Sequence, residues 1–135
     1  MSEKIENVII HNLEKFLNQK LNTDYSFSSS FYDSAIQING IENKSDGANT
    51  MFIKVGINKN NEQVYISNIF VPFHLKHQNI GKEMISIIYL SSLDFGYDVF
   101  LVDLTDSFYE SMFKRGAVEC NETDILQITE NTKLN

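Results

Sequence analysis

The sequence predicts an α+β fold: a mixed, mostly antiparallel sheet with a central parallel strand pair and flanking helices. Three observations carry that prediction. Residues 5–21 have the apolar spacing of an amphipathic helix, and three short β-branched and aromatic runs follow it between turn-forming residues. After Pro72, the only proline, the pattern switches to helix, strand, helix, strand. At 135 residues the chain has room for one core, since a chain of this size buries roughly two thirds of its unfolded surface. One domain over residues 1–135 is therefore expected.

The first helix is written in Ile5, Ile9, Leu13, Phe16, Leu17 and Leu21, which recur at steps of three and four. Asn22-Thr23-Asp24 ends it. The polar stretch through Ser28-Ser29-Ser30 then reads as a connection whose aromatics, Tyr25, Phe27 and Phe31, turn into the core. Strands are expected at 35–41, 51–57 and 64–71, with turns at 42–49 and 58–61, as an antiparallel meander. Pro72 has no amide to donate and marks a strand end. From residue 80 to 95 the apolar residues Ile80, Met84, Ile87, Ile88, Leu90 and Leu93 give a helix about four turns long that Gly96 can close. Residues 99–104 form a nearly continuous apolar strand, 107–115 a short helix stopped by Gly116, and 118 onward a last strand or hairpin ending near Thr129. A strand joined to the next through a helix has it as a parallel neighbour, so 64–71 and 99–104 should lie side by side and parallel.

Eighteen acids against eleven Lys and Arg give a net charge of −7, which repels a phosphate backbone, and no basic face is large enough to reverse that field. Nucleic acid is not an expected partner. The same field would favour a cationic partner, such as an amine or a Lys-rich peptide, but the plainer reading is that acidity serves solubility. The longest uncharged stretch, 84–93, is about half of what a membrane-spanning helix needs, and it contains three serines and a tyrosine. A single cysteine, Cys120, rules out an internal disulfide, and no basic-then-apolar leader precedes the first helix, so a cytoplasmic location is expected. Cys120, close to Val118, reads as a small buried hydrophobe, and His11, among polar neighbours, as a surface residue.

The informative segment is the junction before the second long helix. Residues 74–82 hold His74, Lys76, His77 and Lys82 and no acid. That local reversal of charge coincides with a helix start, where unpaired amides and the positive end of the dipole favour a phosphate or pyrophosphate. His74 and His77 lack the Glu-bearing pattern of a zinc site, so no metal is expected.

Read as Lys-His-Gln-Asn-Ile-Gly, the positions Lys76, Asn79 and Gly81 resemble the signature of the GCN5-related N-acetyltransferases, the GNAT family. That signature is Gln or Arg, two residues, Gly, one residue, then Gly or Ala, between a strand and a helix. Here Lys replaces Arg or Gln, and Asn replaces the first Gly; Asn tolerates a left-handed backbone, so the exchange is chemically mild. From about residue 64 to 117 the strand end at Val71-Pro72, the helix, the next strand and the helix closing in Lys114-Arg115-Gly116-Ala117 also come in the family's order.

The resemblance implies a GNAT-like (acyl-CoA N-acyltransferase) fold in which the two parallel strands splay at their carboxyl ends. It implies acetyl-CoA as co-substrate and transfer of its acetyl group to a primary amine of a small molecule or protein. The pantetheine arm would pair like an added strand with Ile69, Phe70 and Val71. The pyrophosphate would lie on the amides of Lys76, His77, Gln78, Asn79, Ile80 and Gly81, beside Lys82. An amide near Val71 would face the thioester oxygen and stabilise the charge that develops on it. A Tyr on the last helix often protonates the leaving thiolate; Tyr109 is on that helix, yet spacing counted back from Gly116 puts Met112 at the usual position. The general base stays open among Tyr65, Ser67, Asn68 and Asp103, and Asp103 could instead cap the following helix with Asp106.

Two rivals remain beside the enzyme: a non-catalytic module of the same fold that binds acyl-CoA or a protein partner, and an acidic surface that binds a basic partner with no cofactor. In this fold the acceptor is chosen by the first helix and the loops at 22–31 and 42–49, where no motif can be read. Dimers are common among such proteins, which allows a homodimer here, though no segment marks an interface.

Overall fold

The computed structural model describes residues 4–44, 47–72, 75, 78–120 and 124–134. Along them run α1 (Ile5–Leu21), β1 (Tyr25–Tyr32), β2 (Ala35–Glu42), β3 (Asn49–Asn58), β4 (Gln63–Ile69), α2 (Ile80–Leu93), β5 (Asp98–Leu101), α3 (Asp106–Lys114), β6 (Val118–Glu119) and β7 (Leu126–Ile128). The strands form one sheet in the order β1-β2-β3-β4-β5-β7-β6. The pair β4 and β5 is parallel, in register from Gln63 opposite Asp98 to Ile66 opposite Leu101, and the other neighbours are antiparallel. This is the mixed sheet with a central parallel pair that the periodicity predicts. Among the described residues no helix is long and apolar enough to cross a membrane.

The first disagreement is β1. Residues 25–32, expected as a connection, pair with β2 along their whole length, from Tyr25 opposite Glu42 to Tyr32 opposite Ala35. Serines alternating with aromatics are the period-2 pattern of an edge strand with one solvated face, and the run of three serines hides it. Tyr25 is buried and Phe27 is packed against the core, but Phe31 is exposed. The second disagreement is α2, whose buried face is Ile80, Met84, Ile85 and Ile88 followed by Ser91 and Ser92, while Leu90 and Leu93 point outward. The small serines let the helices close: α1 packs on α2, and the Asn12 amide donates to Ser91 Oγ at 2.9 Å. Strand β5 is also shorter than expected, ending at Leu101 rather than at residue 104.

Ile5, Ile9, Leu13, Leu17 and Leu21 of α1 are buried at every turn, as an amphipathic stripe requires. Beside them Glu6 is buried too, its carboxylate 3.0 Å from the Lys59 ammonium at the β3–β4 turn. Burial works against the Glu6 charge, but a bond from its own backbone and the Lys59 ammonium outweigh it and hold the carboxyl below its ordinary value of 4.5. At the other end of the sheet Tyr25, Phe27 and Phe52 meet edge to face or tilted, with ring centroids 5.2 to 5.9 Å apart. Gly40 lies beneath them, and a methyl group there would stand 2.6 Å from a Phe52 ring carbon.

Gly40→Ala should therefore destabilise the protein by about 1–3 kcal/mol through overpacking, read as a lower denaturant midpoint at unchanged slope. Glu6 has a depressed pKa, so the stability it supplies is present above the unfolded-state value and is lost as pH falls through the folded-state one. Glu6→Gln should flatten the acid limb of a stability curve below pH 4.5. An unaltered limb would show that the pair contributes nothing.

Candidate active site

The ladder between β4 and β5 stops one residue past Ile66 and Leu101, where the Val102 amide donates to the Ile66 carbonyl at 3.0 Å. On the opposite side of β4 the register slips at the same level: Val55 faces Ile66 and Lys54 faces Asn68, which leaves Ser67 unmatched. Such a bulge bends its strand and adds twist, so β4 swings away from β5 beyond this point. Between the diverging ends lies a hollow of about 160 Å³. It is lined by Ile66, Ser67, Asn68 and Ile69 on one side, by Asp103, Leu104 and Thr105 on the other, and by Phe108 of α3.

The start of α2 faces the same region. Asn79 has a left-handed backbone, φ 59°, and its side chain makes no capping bond. The first bond into Asn79 comes from the Glu83 amide at 2.9 Å, and by helix geometry the amides of Ile80, Gly81 and Lys82 have no acceptor within the helix. They edge a second hollow, about 480 Å³, bordered also by Val71, Leu75, Phe108 and Ser111. Phe108 borders both hollows. At Gly81 a Cβ would make ordinary contacts, 3.5 Å from Ile69 Cγ2 and 3.8 Å from Val71 Cγ2, so the helix start packs beside the end of β4 with room to spare for a methyl group. Amides with no acceptor inside the helix, the helix dipole and the Lys82 ammonium all favour an anion at this end.

Among solved structures the chain is similar to a nourseothricin acetyltransferase at a TM-score of 0.51 and 10% identity, over 78% of this chain and 84% of that one. The chain has the GNAT fold. Also similar is a candidate acetyltransferase from Agrobacterium tumefaciens, at a TM-score of 0.44 and 9% identity, over 94% of this chain and 90% of that one. No protein-family model and no curated protein matches the sequence.

On this GNAT fold the expected site residues divide. Ile69, Phe70, Val71, Asn79, Ile80, Gly81 and Lys82 gather where the end of β4 meets the start of α2, and Gln78 is exposed just before the helix. The Phe70 amide is taken by the Phe52 carbonyl at 2.9 Å, and the Phe70 ring is exposed. His74, Lys76 and His77 lie outside the described residues. Tyr109 lines neither hollow: its hydroxyl donates to Glu119 Oε2 at 2.5 Å and its ring stacks on Phe113. Met112, at the family's usual Tyr position, is fully buried.

Of the open base candidates, Ser67, Asn68 and Asp103 line the splay. Tyr65 lies lower on the parallel pair, stacked on Phe100, with its hydroxyl bonded to Gln63. Asp103 and Asp106 do not cap α3. Thr105 does, its Oγ1 accepting from the Phe108 amide at 3.3 Å, and a Thr immediately before the first helical residue is the signal that identifies it. Phe108, which borders both hollows, has no mark in the sequence to separate it from a core aromatic. Cys120 is half-buried rather than buried, because β6 is a two-residue edge strand. Among the described residues no group of three or more His, Cys, Asp or Glu could hold a metal ion.

The hydrogen bond from Tyr109 to the Glu119 carboxylate, with a smaller contribution from burial, pushes the phenol up to about 12. A raised pKa favours the folded state below the ordinary value of 10.0 and loses that effect as pH rises through about 12. In a tyrosinate absorbance titration, Glu119→Gln should bring one tyrosine back toward 10.0, and Tyr109→Phe should remove that same transition. Identical titrations for the unaltered protein and Glu119→Gln would show that the bond does not form in solution.

Proposed function

We propose that the protein transfers an acetyl group from acetyl-CoA to a primary amine. One observation carries the reading: a helix start with the dipole and the lysine that favour an anion lies next to a splayed parallel strand pair, with Phe108 bordering the hollow at each. In this reading the pyrophosphate lies on the amides of Ile80, Gly81 and Lys82, and the pantetheine arm pairs with β4 where β5 has left it. The thioester then sits in the splay. Because the Phe70 amide is already engaged, we assign the Val71 amide to the thioester oxygen, where it opposes the charge that develops as the amine attacks.

Tyr109, the acid that the resemblance implies, is occupied by Glu119 and held at about 12. A thiol near ~8.5 is the stronger acid, so proton transfer from this phenol to a thiolate runs uphill. The departing sulfur is therefore assigned a proton from solvent. The same fact favours a second reading, a coenzyme-binding module without turnover, since buried Met112 and engaged Tyr109 leave no dedicated acid.

Calorimetric titration with acetyl-CoA tests the reading. Gly81→Ala places its methyl in ordinary contact with Ile69 and Val71 and should keep the fold and the binding. Gly81→Glu, which adds a carboxylate at the anion end, should weaken binding roughly tenfold or more. No binding by the folded, unaltered protein would sink both coenzyme readings. Binding without thiol release in the presence of primary amines would select the module.

A further inference from the structure

We propose that β1 is the interface between two copies of this chain, which pair antiparallel along it about Ser28 and join their sheets into one. The inference stands apart from the coenzyme readings. In the order of the sheet β1 is one rim, and β6, at the other, is only two residues long. Sheet rims are ordinarily blunted by shortness, charge, proline or a bulge, because a bare edge templates a further strand. None of these protects β1. Its eight residues, Tyr25-Ser26-Phe27-Ser28-Ser29-Ser30-Phe31-Tyr32, carry no charge and no proline. Its register with β2 runs without a shift, whereas β2 with β3 and β3 with β4 each slip once.

Which groups the rim presents follows from the hairpin. Asp33 and Ser34 both have a left-handed backbone, φ 52° and 61°, as a two-residue type I′ turn requires. Such a turn is closed by a hydrogen-bonded pair, here Tyr32 with Ala35, and bonded pairs then alternate along the ladder. On the far side of β2 the Ser34 carbonyl accepts from the Ile57 amide at 2.8 Å, which is the same alternation met from β3. Ser28, Ser30 and Tyr32 therefore spend their backbone groups on β2, and Phe27, Ser29 and Phe31 turn theirs outward. Among the described residues no backbone bond from another element meets those three. Phe31 and Tyr32 are exposed as well, Tyr32 to 83%.

Charge argues for a second copy as the occupant. At net −7 two copies repel, so they meet most easily where neither carries charge, and β1 is such a stretch. With a two-fold axis at Ser28, Phe27 of each copy faces Ser29 of the other, and the two exchange amide-to-carbonyl bonds. Phe31 then lies opposite Tyr25, beside the cluster of Tyr25, Phe27 and Phe52, and gains an aromatic neighbour. The flanking acids do not meet, because Asp24 lies opposite Tyr32 and Asp33 opposite Thr23. An axis at Ser29 would instead set the two Ser29 residues face to face, and with them the two Glu14 carboxylates, each of which accepts from its Ser29 hydroxyl at 2.6 Å. With the axis at Ser28 those carboxylates are a diagonal apart.

Disulfide trapping and sedimentation test the interface and its register together. Residues opposite each other in a non-hydrogen-bonded antiparallel pair have Cα atoms about 4.5 Å apart, within reach of a disulfide. Ser28 meets itself in such a pair, whereas Ser30 faces Ser26. In a Cys120→Ser background, Ser28→Cys should therefore be trapped as a covalent dimer under mild oxidation, and Ser30→Cys should run as a monomer on a denaturing gel. Sedimentation equilibrium of the unaltered protein should show monomer and dimer exchanging. Ser28→Lys, which sets two ammonium groups face to face, should raise the dissociation constant roughly fivefold or more with an unchanged circular dichroism spectrum. A monomer at every concentration up to millimolar, a dimer indifferent to Ser28→Lys, no trapping at Ser28, or equal trapping at Ser28 and Ser30 would each overturn the inference.

Discussion

The activity proposed for this protein depends on the place where the pairing of β4 with β5 stops. Four residue pairs hold the two strands in parallel register, and the Ser67 bulge then turns β4 away while Asp103 turns the other chain out of the sheet. Had the ladder continued to residues 71 and 104, backbone donors and acceptors would face each other across the gap and no ligand could enter. Because it stops, β4 offers a strand edge inside the molecule rather than at its rim, next to a helix start whose first amides have no acceptor within the helix. A bulge is a small irregularity with a large effect, since one unmatched residue decides whether the sheet centre is packed or open.

The core holds this opening rigid from outside it. Helix α2 starts beside the gap, where a Cβ at Gly81 would only just contact Ile69 and Val71, and it is held by buried Met84, Ile85 and Ile88 beneath and by α1 alongside. The Asn12 bond to Ser91 and the Glu6 contact to Lys59 bind α1 to α2 and to the β3–β4 turn. The proposed anion end therefore rests on packed helix rather than on loop, and amides held that way would need little reorganisation to meet a phosphate.

The position of Tyr109 shows the opposite case, in which a residue of the right type is removed from the site by its neighbours. Its hydroxyl is spent on Glu119 across the α3–β6 corner, and the helix turn that would place a tyrosine toward the splay carries Met112 into the core instead. Phe108, one residue earlier, is what borders both hollows.

The sequence by itself determined the helices, the antiparallel meander from β2 to β4, the parallel crossover that follows it and a helix start with a local reversal of charge. All of these rest on local signals: apolar period, turn residues, a reversal of charge and an Asn that accepts a left-handed φ. It also placed Asn79, Gly81 and Lys82 at the helix start, since motif spacing along one helix end fixes geometry directly. Only the tertiary structure decided that Tyr25–Tyr32 is a strand, that β5 ends at Leu101 and that Thr105 rather than Asp103 caps α3. It alone brought Phe108 to the splay. A strand edge, a bulge and the lining of a gap are set by which partner lies opposite and where pairing stops, and those are relations between distant segments that no local period records.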